Sequence, residues 1–272
     1  MMAAVALTVA GSDPSGGAGI QADLKTFHQL GVYGASAVTL LTVQNTVRVS
    51  RVEVMEPELV LAQIEAVLED LPVGAAKTGA LGSEANVRAV AERFARPGAP
   101  RLVVDPVMIS KHGAPLLAED ARRAVRDELV KVAALVTPNT HEAAELVGQP
   151  VETLAEAREA AHLLVAMGAR AALVKGGHLE GDAIDVLALA GETLELPARR
   201  IETRHTHGTG CTYAAAITAL LALGVPLLDA VIQAKRWLTS AIATAPGLGH
   251  GHGPVNHHAP FLGGVARPAR SD

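Results

Sequence analysis

The stretch Ala4-Val5-Ala6-Leu7-Thr8-Val9-Ala10-Gly11-Ser12-Asp13-Pro14-Ser15-Gly16-Gly17-Ala18-Gly19-Ile20-Gln21-Ala22-Asp23 decides the fold. Residues 4–10 are a short apolar run without strict alternation, as expected of a strand covered on both faces. Residues 11–17 form a turn around Pro14 and the adjacent Gly16 and Gly17. From 18 to 30 the apolar residues Ile20, Leu24, Phe27 and Leu30 recur at helical spacing, and Gly31 stops the helix. A buried strand, a glycine-rich turn and a helix are the opening of a βαβ unit.

The same order recurs outward from this segment. Strands are predicted at 36–41, 47–54, 73–77, 101–104, 133–136 and 171–175, the second of them alternating as a half-exposed strand does. Helices are predicted from Pro57 to 70, from the cap Ser83 to 96, and at 118–131, 139–147, 154–167, 212–223 and 226–244. Residues 183–189 and 193–196 flank Gly191-Glu192 as an antiparallel hairpin. The fold class is therefore α/β, three-layer α/β/α with a mainly parallel central sheet. With no internal repeat and no linker, residues 1–262 read as one domain and 263–272 as a flexible C-terminal tail.

Composition removes several functions. The 272 residues contain one cysteine and six aromatics (three Phe, two Tyr, one Trp), so no internal disulfide is possible and the core is aliphatic. Lys and Arg number 23 against 28 Asp and Glu, a net charge of −5, with no basic footprint for nucleic acid and few rings on which bases would stack. No apolar run approaches the ~18–20 residues of a membrane span, and the apolar start has no basic residues before it, so it is not a signal peptide. A soluble cytoplasmic protein is expected, and strand 47–54 is expected to contribute to a homodimer contact.

Ligands of open α/β sheets bind beyond the carboxyl ends of the strands. Polar clusters fall there: Gly11-Ser12-Asp13, Lys77-Thr78-Gly79, Asp105-Pro106, Thr137-Pro138-Asn139 and Lys175-Gly176-Gly177. The segment Thr206-His207-Gly208-Thr209-Gly210-Cys211-Thr212 is a glycine-rich turn opening a helix, which exposes backbone N–H groups to an anion. Cys211 at such a helix start is expected to have its pKa lowered below ~8.5 and to serve as a base; the alternative is a small core residue. Asn139 and Glu142, one turn apart, suit hydrated Mg²⁺, or else they form an ordinary capping box. Asp23 and Gln44 are candidates for the polar edge of a small ring, or for plain surface residues. No Gly-x-x-x-x-Gly-Lys-[Ser/Thr] motif is present, and residues 11–19 do not fit Gly-x-Gly-x-x-Gly, which disfavours a dinucleotide oxidoreductase. The tail histidines, His250, His252, His257 and His258, lack metal-ligand spacing and read as a polar lid or packing segment.

Residues 10–23 with Gln44-Asn45-Thr46, Asp105-Pro106-Val107-Met108, Thr137-Pro138-Asn139, Lys175-Gly176-Gly177-His178 and the 206–211 segment together resemble the hydroxymethylpyrimidine/phosphomethylpyrimidine kinases of thiamine biosynthesis, within the ribokinase-like superfamily, over about residues 4–258. The resemblance implies ATP- and Mg²⁺-dependent phosphorylation of 4-amino-5-hydroxymethyl-2-methylpyrimidine and then of its monophosphate. It implies that Gln44, Asp23, Gly11 and Val107 contact the pyrimidine and that Gly208, Thr209, Gly210 and Cys211 form the anion hole. Cys211 stands where many ribokinase-like enzymes carry an aspartate base. Asp105 and Glu142, with Asn139, organise Mg²⁺; Lys175, Asn139, Thr137 and, from the last helix, Lys235 serve ATP. This sequence departs from the family's common pattern at Ala80, where methionine is frequent, and at His112 and His205, where Ser and Asn are common. A pyridoxal kinase is the alternative activity, and a non-catalytic pyrimidine or nucleotide sensor a more distant one.

Overall fold

The computed structural model describes residues 3–109, 113 and 116–261. His112 and the tail 263–272 lie outside the described residues.

The chain begins with β1 (Val5–Ser12), α1 (Gly19–Gln29), β2 (Tyr33–Gln44) and β3 (Val49–Val54). It continues through α2 (Pro57–Asp70), β4 (Val73–Thr78), α3 (Glu84–Ala95), β5 (Arg101–Val104), α4 (Glu119–Ala124), β6 (Leu135–Val136), α5 (Thr140–Val147) and α6 (Leu154–Ala166). β7 (Ala171–Val174), β8 (Asp185–Leu189), β9 (Glu192–Leu196), α7 (Thr209–Ala222) and α8 (Leu227–Ala243) complete it. All nine strands join one sheet in the order β3-β2-β1-β4-β5-β6-β7-β8-β9. Its centre, from β2 to β7, is parallel, and β3, β8 and β9 add antiparallel edges.

Alternation along the strands assigns each side chain to one of two cores. Leu7, Val9, Ala76, Leu102, Val104, Val136, Ala172 and Val174 face α2–α6. Ala6, Ala75, Val103, Leu135, Ala171 and Leu173 face α1, α7 and α8. Small strand residues let the helices approach closely. A Cβ on Gly74 would meet the Ala222 backbone at 3.1 Å. This is the three-layer arrangement the sequence predicts.

Three local predictions are corrected. The helix expected at 118–131 is α-helical only over Glu119–Ala124; it then widens to a π-turn over Val125–Leu129 and tightens to a 3₁₀ turn over Val130–Val132. Val125, Leu129 and Val130 are all buried there, so the extra residue in the turn keeps each against the core. The β8–β9 turn is Ala190-Gly191, with φ of 53° and 84°, and Glu192 already pairs with Leu189. The helix expected from 212 begins at Thr209, which places Gly210 and Cys211 in its first turn.

Candidate active site

The strand order reverses around β1, with β2 on one side and β4 on the other. At the carboxyl ends of these strands lies a cavity of about 1270 Å³, where an open α/β sheet places its ligands. Of the sequence-predicted residues, Gly11, Gln44, Val107, Asp105, Asn139, Glu142, Lys175, Gly208, Thr209, Gly210 and Cys211 line it.

Asp23, Thr137 and Lys235 do not line it. Asp23 lies sealed beneath the floor, where its Oδ2 accepts from Lys77 Nζ at 2.8 Å and Thr8 Oγ1 at 2.6 Å. Helical spacing put Asp23 on the strand-facing side of α1, and Lys77, pointing inward from β4, claims its charge. Thr137 is buried behind Asp105, with its hydroxyl 3.4 Å from Asp105 Oδ1. Lys235 turns inward, donating to Ala183 O at 2.9 Å and pairing with Asp185 Oδ2 at 2.7 Å. Asp185 Oδ1 accepts from Gly176 N at 2.9 Å, so Lys235 braces the loop after β7 from behind.

The 206–211 loop closes tightly on the β1–α1 turn. Gly208 has φ +76°, and a Cβ on it would fall 1.8 Å from Gly17 O. Only glycine meets both demands. A Cβ on Gly210 would lie 3.3 Å from Lys175 Nζ and 3.7 Å from Asp105 Oδ2, so the start of α7, Lys175 and Asp105 meet at one point. The free N–H groups of a helix's first turn and an ammonium together suit a phosphoryl group.

Cys211 sits at this point, partly exposed, but its thiol is not acidic. Burial pushes it up to about 12; Lys77 and the Gly19 N–H pull the other way without overcoming it. The expected lowering at a helix start is corrected: desolvation exceeds the favourable fields.

Lys175 Nζ donates to Asp105 Oδ1 at 3.0 Å and lies 3.9 Å from Glu142 Oε2. Burial opposes the Lys175 charge, but Asp105 and Glu142 hold its pKa above the ordinary lysine range. Burial also pushes Glu142 up to about 7, with Lys175 opposing and Asp105 adding. Asn139 and Glu142 form the capping box: Asn139 Oδ1 accepts from Glu142 N at 2.9 Å and Glu142 Oε2 from Asn139 N at 2.8 Å. The cap occupies one carboxylate oxygen of Glu142, Oε2. Asp105 Oδ2 is buried and accepts no hydrogen bond. Among the described residues no three His, Cys, Asp or Glu gather to hold a metal by themselves. One or two carboxylates beside bound phosphate fit Mg²⁺, which keeps much of its water.

At the other end stand Gln44 and a pair that sequence reasoning missed. His207 Nε2 lies 2.7 Å from Asp13 Oδ2, both side chains buried. Burial works against the Asp13 charge, but hydrogen bonds from His207 and Ser15 outweigh it and hold the carboxyl below its ordinary range. The pair spans 194 positions, so its one local trace is Gly17, where a Cβ would come 2.5 Å from the His207 ring. Among the described residues the tail histidines form no group of three that could hold a metal. His257 Nε2 meets Thr212 Oγ1 at 3.0 Å, and the strand-like segment around Gly253 accepts from His207 N at 3.0 Å. Ala80 lines the cavity as a small aliphatic wall.

The model of the family described as phosphomethylpyrimidine kinase matches residues 13–256. The chain belongs to the phosphomethylpyrimidine kinase family. Within it, the chain is 51% identical over 260 residues to the hydroxymethylpyrimidine/phosphomethylpyrimidine kinase of Rhizobium meliloti, covering 94% of this chain and 97% of that one. It is 48% identical over 252 residues to the thiamine biosynthesis bifunctional protein ThiED of Geobacter sulfurreducens, covering 92% of this chain and 51% of that longer protein. Among solved structures, the ADP complex of Bacillus subtilis pyridoxal kinase superposes with a TM-score of 0.87 at 35% identity, covering 96% of this chain and all 100% of that one. A phosphomethylpyrimidine kinase is a phosphotransferase, and the resemblance read from the sequence holds in family and in fold. No helix among the described residues is long and apolar enough to cross a membrane.

Proposed function

We propose that this kinase transfers the terminal phosphoryl group of ATP to the hydroxymethyl group of 4-amino-5-hydroxymethyl-2-methylpyrimidine, and then a second one to the monophosphate, in thiamine biosynthesis. The meeting of Lys175, Asp105 and the 208–211 loop at one end of a cavity whose other end holds Gln44 carries this reading. The family match and the relatives' names support it.

The pyrimidine edge meets Gln44, with Gly11 and Val107 as close walls. Lys175 and the first-turn amides of α7 hold the transferring phosphoryl group. In a loose transition state charge gathers on its oxygens, and pre-oriented donors lower the barrier without reorganising. Mg²⁺, when bound by Asp105 and Glu142, would neutralise phosphate charge. Cys211, once it has released its own proton to solvent, takes the acceptor proton as the thiolate, with Lys77 beneath it as the cation that favours that form. Because the thiol begins protonated, positioning supplies more of the rate than base catalysis. The exposed Leu41 (48%), Val43 (57%) and Val47 (54%) of one hairpin we assign to contact with a second copy in a cytoplasmic homodimer; a monomer by light scattering at micromolar concentration would remove that assignment.

Incubation with ATP, Mg²⁺ and the pyrimidine alcohol is expected to give mono- and diphosphate by mass spectrometry. Absence of both products sinks the reading. A second activity on pyridoxal is favoured by the superposition on pyridoxal kinase, and comparing kcat/KM for the two alcohols decides which is principal. Ligand-induced stabilisation with no ATP turnover would instead indicate a sensor.

A further inference from the structure

Lys175 leads directly into the loop 176–182, whose Gly177 and His178 line the cavity. The start of this loop is fixed. Lys175 N donates to Pro138 O at 2.8 Å, Gly176 N to Asp185 Oδ1 at 2.9 Å, and Leu179 N to Gly176 O at 3.1 Å. A Cβ on Gly176 would fall 1.8 Å from Ile184 O, so the chain there is tightly enclosed. Gly177 differs. A Cβ built on it meets nothing within 4 Å, and a glycine with open space around it lets the next peptide unit turn either way.

Arg200 decides the turn. Ala183 and Ala198 exchange both backbone hydrogen bonds, at 2.9 and 3.1 Å, which brings the chain after β9 alongside the loop. Two residues on, Arg200 donates Nη1 to Gly177 O at 2.8 Å, Nε to Gly181 O at 2.7 Å and Nη2 to Leu179 O at 2.5 Å. Arg200 itself does not line the cavity. The peptide unit joining Gly177 to His178 therefore gives its oxygen to a group behind the lining, and in a trans unit the N–H points the opposite way. An anion site is built from amides, and a carbonyl oxygen turned into it would repel a phosphate. We infer that Arg200 is a positioning residue for the nucleotide: its grip on three carbonyls holds the Gly177–His178 peptide unit with its oxygen away from the phosphates of ATP. Arginine suits this task and lysine does not. The guanidinium presents its donors in a rigid planar fork, whereas an ammonium is a point charge on a flexible stem. The inference rests on ATP as phosphoryl donor.

The test measures kcat, KM for ATP and KM for the pyrimidine alcohol in full-length Arg200→Gln and Arg200→Lys. Both variants are expected to raise KM for ATP about tenfold, with kcat at saturating ATP and KM for the alcohol within about twofold of the wild type. Calorimetry with Mg²⁺ and a non-hydrolysable ATP analogue should show the same rise in Kd. Folded variants whose KM and Kd stay within about twofold of the wild type overturn the inference. So does full recovery in Arg200→Lys, which would make charge and not the carbonyl grip the cause. An equal rise in KM for both substrates marks a general structural defect and overturns it as well. A wild type that phosphorylates no pyrimidine alcohol overturns the kinase reading, and the calorimetry then judges Arg200 by itself. Arg200→Lys carries the test should Arg200→Gln fail to fold.

Discussion

Two lysine–carboxylate pairs lie towards the carboxyl edge of the sheet, Lys77 with Asp23 and Lys175 with Asp105, at 2.8 and 3.0 Å. The first is sealed, with both side chains 0% exposed; the second opens to the cavity, with Lys175 at 14%. Burial opposes the charge on Lys77, yet Asp23 keeps it above the ordinary lysine range, and the same holds for Lys175 beside Asp105 and Glu142. Equal chemistry therefore has unequal use. A sealed ammonium can act only through its field, on Cys211 and on the floor; an open one can meet a phosphate. Substitutions that take each lysine away separate the two roles.

Lys175→Met gives the largest effect. It removes the ammonium that lies against the start of α7, at the proposed anion hole, and kcat/KM is expected to fall about 10³–10⁴-fold, the scale of losing a charge-stabilising group in phosphoryl transfer. Circular dichroism should be unchanged. A loss below about tenfold would move the phosphate-binding role elsewhere. Lys77→Met acts on stability instead. Leaving Asp23 buried without its partner costs about 3–5 kcal/mol, read by urea unfolding, and Lys77→Met with Asp23→Leu should recover much of it. A single variant as stable as the wild type would show that the sealed pair is dispensable.

The same contrast explains what the sequence made legible. Runs such as 4–10 and 101–104 and the caps Ser83 and Asn139 announce themselves locally, because strand burial and helix ends depend on near neighbours. The strand-end clusters found most of the cavity lining for a topological reason: parallel strands carry their carboxyl ends to one edge. What stayed hidden was pairing. Asp23 reads from sequence as a ring contact or a surface residue because nothing near it names Lys77, 54 positions on, and Lys235 reads as a nucleotide residue although Asp185 takes its charge. The helix dipole on Cys211 was legible, but the desolvation that overrides it comes from packing.

Cys211 stands between the two pairs, closest in influence to the sealed one. With its thiol at about 12, the thiolate fraction rises about tenfold per pH unit below that value. If Cys211 is the base, kcat at saturating substrates should rise through pH 7–10 without levelling. Cys211→Asp should level off at lower pH, and Cys211→Ala should lose about 10²-fold. A wild-type profile that is flat over this range removes the base role and leaves Cys211 as a small wall of the anion hole.

The gentlest test concerns Glu142, on the open side. Its carboxyl is at about 7 instead of 4.5, chiefly through burial. Below about pH 7 it holds a proton and is a poor cation ligand. ATP affinity in the presence of Mg²⁺ should then weaken as pH falls from 8 to 6, by up to about tenfold per unit. The ligand-free protein should run the opposite way. Between 4.5 and 7 the folded state keeps a proton that the unfolded chain has released, so stability from this group is full below 4.5 and is lost as pH rises through 7. Glu142→Gln keeps the oxygen that caps Asn139 N and cannot ionise. It should flatten both slopes, giving a smaller fall in Tm between pH 5 and 8 and a pH-independent, weaker nucleotide affinity. Opposed slopes in the wild type that vanish together in Glu142→Gln assign them to this carboxylate. Slopes that survive the substitution take the titration away from Glu142, and the open pair then loses its pH control.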